Sequence, residues 1–231
     1  MTIAPSTAET RITANLVRVQ QRIATACARA ARAPAEVTLI AVTKGRPLAD
    51  VAALWRAGIT DAGENRVQEG EAKRRAAEAA GVQGLRWHLI GHLQRNKAAR
   101  ALAAFDVFHG IDNAAVLEAV ARRAVRPVEV FLEVNVAREP TKHGCAPEEL
   151  PELVATARAL PGIQLVGLMT VAPAVDDPEA VRPVFRQLRL LAQAYGLPKL
   201  SMGMSNDFEV AIEEGATHVR IGRALFEGAP R

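Results

Sequence analysis

The sequence predicts an α/β fold: a single (β/α)8 barrel of the TIM type with one additional N-terminal helix. Three observations carry this. From residue 37 onward, short β-rich runs alternate with longer amphipathic segments, the pattern of a parallel sheet with helical crossovers. The alternation occurs eight times, which in 231 residues suits a closed barrel. The turn after the first run reads Thr43-Lys44-Gly45-Arg46-Pro47, without the Gly-x-Gly-x-x-Gly signature of an open dinucleotide-binding sheet. No Pro/Gly/Ser-rich linker divides the chain. Residues 1–231 therefore read as one domain, with the front helix over about 6–33 and the barrel over about 37–226.

The front helix opens on Ser6-Thr7-Ala8-Glu9, which has capping-box spacing. Ile12, Leu16, Val19 and Ile23 recur at helical intervals until Pro34 ends the run. The first strand, 37–43, is a continuous β-rich stretch of the kind buried on both faces. Pro47 suits the first turn of the next helix and Gly58 its end. A short strand over 59–63 precedes a helix over 67–80, stopped by Gly81. The third strand is 85–90, and its helix runs through Lys97 and Leu102. The fourth is 106–111, with Asn113 capping the helix behind it. The fifth is 128–134, and Pro147-Glu148-Glu149 opens its helix. The sixth is 163–169, before a helix over 178–195 ending at Gly196. A strand over 199–202, a helix over 207–214, a strand over 218–221 and a short terminal helix complete the count.

Composition narrows the function. With 49 % hydrophobic and 23 % charged residues the chain is neither disordered nor fibrous. The apolar run 37–42 is too short to span a bilayer, and the opening Met-Thr-Ile-Ala-Pro-Ser lacks a secretory pattern, so a cytoplasmic protein without a membrane partner is expected. The net charge is only +4, adjacent arginines occur at 74–75 and 122–123 in helical stretches, and aromatics are 4 %; nucleic acid is not expected as a partner. A small anionic ligand suits a weakly basic chain. Two cysteines cannot make a disulfide framework, and the five histidines lack metal-ligand spacing, so no metal site is expected. Cys145, after Lys142-His143-Gly144, reads as an ordinary loop thiol.

In such barrels the site is built where strands end. Lys44 ends the first strand, in a chain whose default cation is arginine. Residue type alone reads it as a surface lysine. A place against low-dielectric barrel walls would instead lower its pKa and free the amine for Schiff-base chemistry, and the strand-end position balances the two readings. Gly203, Ser205 and Gly222, with helices starting near Asp207 and Arg223, lie at the two loops where barrels hold phosphate; singly each glycine reads as a turn residue, jointly they favour an anion cradle. Arg220 reads either as a rim ion pair, with Glu64 as partner, or as a donor to a ligand acceptor such as a pyridine nitrogen. A guanidinium there leaves that nitrogen unprotonated and weakens the ring as an electron sink.

The motifs Ala41-Val42-Thr43-Lys44, Gly63-Glu64-Asn65-x-Val67-Gln68-Glu69, Trp87-His88-x-Ile90-Gly91-x-Leu93-Gln94-x-Asn96-Lys97, Gly167-Leu168-Met169, Ser201-Met202-Gly203-Met204-Ser205-x-Asp207 and Val219-Arg220-Ile221-Gly222 resemble the pyridoxal phosphate homeostasis family. These are single-domain relatives of the alanine racemase barrel, fold type III. The resemblance covers about residues 37–226. It implies that Lys44 carries pyridoxal 5'-phosphate (PLP) as a Schiff base, and that Ser205 and the backbone around Met204 and Gly222 hold the phosphate. It also implies that Arg220 faces the pyridine nitrogen, that Asn65 and Met169 line the cofactor, and that Ser201 belongs to the same site. Arg223 stands where the family has a small hydroxyl residue, so its guanidinium is a candidate replacement donor. The family's second lysine of the first motif is Arg46 here, and Phe226-Glu227-Gly228 replaces Phe-Gly. Lys142 keeps the family's Lys-x-Gly spacing, a place from which to assist transfer.

The resulting expectation is a non-catalytic, monomeric PLP carrier that buffers the cofactor and delivers it to apo PLP-dependent enzymes. One rival is a PLP-dependent racemase, whose relatives take a second base from a tyrosine beyond the barrel, whereas the single tyrosine here, Tyr195, falls in the outer helical ring. The other is a cofactor-free Schiff-base aldolase.

Overall fold

Eight parallel strands follow one another around a ring in chain order, and the last pairs with the first, Thr38 to Ala41 lying against His218 to Ile221. The computed structural model describes residues 7–227. The strands are β1 (Thr38–Val42), β2 (Asp61–Glu64), β3 (Arg86–His92), β4 (Val107–Ile111), β5 (Val128–Glu133), β6 (Ile163–Met169), β7 (Lys199–Met204) and β8 (His218–Ile221). The helices are α1 (Thr7–Arg29), α2 (Leu48–Arg56), α3 (Val67–Ala79), α4 (Ala98–Ala104), α5 (Ala114–Ala121), α6 (Leu150–Ala159), α7 (Arg182–Ala194), α8 (Phe208–Glu213) and α9 (Arg223–Phe226). The predicted barrel with its front helix is therefore the observed fold.

Differences lie at element ends. Helix α1 stops at Arg29 because Ala31 turns into the left-handed region at φ 52°; the Ser6 part of its predicted cap lies outside the described residues. Asn113 caps α5 as predicted, its Oδ1 accepting from the Val116 amide at 3.0 Å. Pro147 to Glu149 form turns, and α6 begins only at Leu150. The helix expected from 178 starts as a 3-10 turn, Pro178–Val181, and becomes α-helical at Arg182. Strand β7 extends to Met204, which pairs with Arg220 beyond a register shift.

Two apolar layers hold the shell. Ile12, Leu16, Val19 and Ile23 of α1 are buried with Val219, Ile221, Phe208 and Leu225. Polar contacts set the angle of α1: Asn15 Nδ2 donates to the Leu225 carbonyl at 2.9 Å, Arg22 grips Glu209 at 3.0 and 2.7 Å, and Arg32 Nη1 donates to the Ile212 and Ala216 carbonyls, both at 2.9 Å. The last pair ties the turn after α1 to the end of α8 and the turn that follows it. Inside the ring the filling is mixed. Val107, Phe131, Val166 and Met169 form a small apolar cluster, while His88, His109, Ser201, His218 and Arg220 are buried with it.

Gly167 of β6 faces Lys199 of β7, and a Cβ there would lie 2.0 Å from the Lys199 carbonyl oxygen. A ring strand cannot yield without parting from its neighbour. Gly167→Ala is expected to cost about 3 kcal/mol, the upper end of overpacking, seen as a lower urea midpoint; an unchanged midpoint would refute this packing.

Candidate functional site

At the mouth where the strands end lies a cavity of about 440 Å³, lined among others by Lys44, Asn65, Lys142, Ser205, Asp207, Arg220, Gly222 and Arg223. A larger, open groove of about 1030 Å³ lies at the opposite face, but there the charges largely pair among themselves, Arg86 with Glu129 and Arg74 with Asp106. Barrel chemistry belongs to the face where strands end, and the smaller cavity is on it. Its lining holds four cations, Lys44, Lys142, Arg220 and Arg223, against one carboxylate, Asp207.

Lys44 sits just past β1 in a turn closed by the Arg46 amide on the Thr43 carbonyl at 3.0 Å. Gly45 adopts φ 67°, and its amide donates to Glu69 Oε1 at 2.6 Å. The turn lifts Lys44 out of the wall: its side chain reaches the cavity but is exposed, with no hydrogen-bond partner among the described residues. Of the two readings left open for this amine, the structure gives the exposed one. The strand ends before residue 44, and burial falls on Thr43 instead. Beneath it, Lys73 Nζ lies 2.5 Å from both Glu64 Oε1 and the Thr43 carbonyl, and Thr43 Oγ1 donates to the same Glu64 oxygen at 2.5 Å. Burial pushes the Glu64 carboxyl up although Lys73 and Thr43 pull it down. Glu64 therefore pairs with Lys73, not with Arg220.

Arg220 is buried. Its Nη1 donates to Ser201 Oγ at 2.6 Å and its Nη2 to the Thr170 carbonyl at 2.9 Å. Burial brings it down to about 10, opposed by Glu133 and Asp207, so it stays charged at neutral pH. Ser201 and Met169 lie beneath the cavity rather than on its wall, Ser201 under Arg220 and Met169 in the inner apolar cluster. Asn65 lines the wall, and Gly91 packs so tightly on it that a Cβ there would lie 2.3 Å from the Asn65 carbonyl oxygen.

The loops after β7 and β8 meet as predicted. Gly203 has φ 91°, and a Cβ there would lie 2.6 Å from Ala211 Cβ, so only glycine fits. The Met204 amide is already taken by Asp207 Oδ1 at 2.6 Å. The amides of Ser205 and Asn206 have no acceptor among the described residues. Ser205 Oγ accepts from the Ala224 amide at 3.2 Å, which leaves its hydroxyl proton to donate. A Cβ at Gly222 would make only ordinary contact with Val42, at 3.5 Å, so its absence opens the mouth rather than relieving the core. Arg223 is exposed at the rim. Two amides, a hydroxyl and the Arg223 guanidinium suit a phosphate, the Arg220 guanidinium suits a ring-nitrogen acceptor, and the unpartnered amine of Lys44 suits a carbonyl; these donors fit PLP. Arg46 is engaged elsewhere, on Glu227 at 2.7 Å and over the Phe226 ring.

Sequence spacing missed two features, the Glu133 carboxyl and a His92, Asp112 and His143 cluster, while Cys145 keeps its reading as an ordinary loop thiol. Glu133, buried at the end of β5, is pushed up to about 7 by burial, with Arg220 pulling down and Asp112 pushing up. Burial takes the Cys145 thiol up to about 12, Glu149 and Asp112 adding to it, which leaves it unreactive. His92, Asp112 and His143 bring ligand atoms within 4.8 Å of one another. The two imidazoles are stacked, with centroids 4.4 Å apart and planes 13° from parallel.

The model of the alanine racemase N-terminal domain matches residues 13–230. Pyridoxal phosphate homeostasis proteins of Aquifex aeolicus and Pseudomonas aeruginosa are each 42 % identical over 220 residues, covering 91 % and 93 % of this chain and 95 % and 94 % of theirs. The chain belongs to the pyridoxal phosphate homeostasis protein family. Among solved structures, PipY of Synechococcus elongatus with PLP bound superposes with a TM-score of 0.81 at 34 % identity, covering 93 % of this chain and 99 % of that one. An alanine racemase of Corynebacterium glutamicum, at 16 % identity and a TM-score of 0.70, covers 94 % of this chain and 60 % of its own; it shares the fold. No described helix is long and apolar enough to cross a membrane.

For this family member Glu133 gives a pH signature. Its folded pKa is near 7 and its ordinary value 4.5. Between these the folded state binds the proton that the unfolded state has released, so stability is fully present below about 4.5 and is lost as pH rises through 7. The loss amounts to about 3 kcal/mol. Glu133→Gln is expected to remove this slope in urea titrations at pH 5 and pH 8, gaining stability relative to the parent at pH 8. Parallel pH dependence of the two proteins would refute the assignment.

Proposed function

We propose that this protein holds PLP reversibly as a Schiff base on Lys44, buffers its free concentration and delivers it to apo-enzymes that need it. The observation that carries the reading is the meeting, in one cavity, of an unpartnered amine, a phosphate-sized donor set and a buried guanidinium. When bound, PLP supplies an aldehyde that condenses with a primary amine, releasing water. Lys44 offers that amine at the edge of the cavity. Ser205 Oγ and the amides of Ser205 and Asn206 take the phosphate, with Arg223 in reach of its outer oxygens. Arg220 donates to the ring nitrogen without surrendering its proton, because it remains charged at neutral pH. A ring nitrogen left unprotonated is a poor electron sink, which favours carriage over carbanion chemistry.

The exposure of Lys44 supports reversibility: water and competing amines reach the bond from solvent. Racemase chemistry needs a second base across the ring. The single tyrosine, Tyr195, packs at the end of α7 against the outer core and does not line the cavity.

Protein reconstituted with PLP is expected to show a visible absorption band that borohydride removes, leaving the reduced adduct on the Lys44 peptide by mass spectrometry. Lys44→Ala is expected to lose both; a reducible band at full occupancy in this variant would overturn the reading. Ser205→Ala is expected to keep the band while weakening PLP binding roughly tenfold, the loss of one charge-assisted hydrogen bond; unchanged affinity would remove Ser205 from the phosphate site.

A further inference from the structure

A file of hydrogen bonds runs through the interior of the ring to Arg220. Arg220 Nη1 donates to Ser201 Oγ at 2.6 Å, and Ser201 Oγ lies 2.8 Å from His109 Nδ1. His109 Nε2 is 2.9 Å from His88 Nδ1, and His88 Nε2 is 2.8 Å from Asp61 Oδ1. Ser201, His109 and His88 are all 0 % exposed, and His109 is stacked on Phe131 at 4.4 Å. Asp61 opens β2 and Glu64 ends it, so the file begins roughly 10 Å of strand below the mouth.

Chemistry sets its direction. A guanidinium only donates. Asp61 is held below its ordinary range: burial raises it, but the bonds from His88 and Thr60 outweigh that, so it is ionised and only accepts. Burial first, then His88, His218 and Arg220, push His109 well below 6.5, so that ring is neutral. One assignment completes every link with a single N–H on each ring. Ser201 donates to His109 Nδ1, His109 Nε2–H donates to His88 Nδ1, and His88 Nε2–H donates to Asp61. The opposite tautomers would leave a bare His88 lone pair facing a carboxylate.

We propose that Asp61, His88 and His109 are positioning residues for Arg220. The Asp61 carboxylate orders both imidazoles as Nε2–H tautomers. The ordered rings draw the Ser201 hydroxyl proton toward themselves, and the freed Ser201 lone pair holds one arm of the guanidinium, leaving its remaining N–H groups to meet the cofactor ring. Only this last step rests on the PLP reading above.

The test begins on cofactor-free protein with 15N-labelled histidine, read at neutral pH by long-range 1H–15N correlation. His88 and His109 are both expected to show the neutral Nε2–H pattern. Ser201→Ala is expected to leave both tautomers in place, because order comes from the far end. Asp61→Asn, whose amide can donate to His88 Nε2, is expected to move both rings toward Nδ1–H. The proposal is overturned by Nδ1–H rings or a doubly protonated His88 in the parent, by a flip in Ser201→Ala, or by unmoved rings in Asp61→Asn. Should Asp61→Asn not fold, the parent and Ser201→Ala spectra still decide the direction. With PLP added, Asp61→Asn is expected to shift the visible band and weaken binding several-fold while the borohydride adduct still forms on Lys44. A band and affinity equal to the parent's, with the tautomers flipped, would refute the positioning role. Absence of the adduct in the parent would refute the carrier reading and leave the tautomer result standing.

Discussion

A guanidinium without water has to be solvated by protein, and the buried charge of Arg220 imposes that constraint on the whole ring. Its direct partners are Ser201 Oγ and the Thr170 carbonyl. The carbonyl is available because Thr170 follows the end of β6, where its own hydroxyl donates to the Val134 carbonyl at 2.8 Å and ties the ends of β5 and β6 together. Glu133 and Asp207 add a field of opposite sign from two sides. An uncompensated cation here would cost several kcal/mol. Barrel interiors are usually filled by branched apolar side chains; this one carries histidines, serine and glutamate beside a small apolar cluster because the cation demands polar neighbours.

The same constraint shapes the mouth. Carboxylates are scarce among the cavity residues, and Asp207, the one that lines it, spends an oxygen on the Met204 amide. That bond closes the loop after β7, and the next two amides have no acceptor among the described residues. The loop after β8 is tied to it through Ser205 and Ala224. Helix α1 braces both from outside: Asn15 holds the Leu225 carbonyl in α9 and Arg22 holds Glu209 in α8. A segment that contributes nothing to the cavity wall therefore sets the spacing of the two loops that do.

Much of this was legible in the sequence, and the limits have physical causes. Strands and helices announce themselves by local periodicity, and all eight βα units were read, as was the meeting of the Ser205 and Gly222 loops. Element ends were less legible because they depend on single backbone conformations such as the left-handed Ala31, or on prolines such as Pro147 whose role depends on context. The exposure of Lys44 stayed open in the sequence because it turns on where β1 ends, and a residue one step past a strand belongs to a turn. The inner polar file was invisible for a different reason. His88 and His109 are 21 positions apart, and His109 and Ser201 are 92 apart. Their adjacency is created by ring closure, so scanning for local metal-ligand spacing saw only five scattered histidines.

A barrel of this kind does not by itself dictate chemistry. What discriminates is the treatment of two nitrogens. An enzyme that stabilises a carbanion profits from a protonated ring nitrogen and a lysine shielded from water. Here Arg220 is buried, charged and bonded to Ser201, with a neutral His109 beyond it, and Lys44 stands at the solvent edge. Under the proposed function, both choices favour exchange of a held aldehyde with an incoming amine over turnover. One buried cation and one exposed amine, set on neighbouring strand ends by β8 pairing with β1, therefore favour holding and releasing a ligand over transforming it.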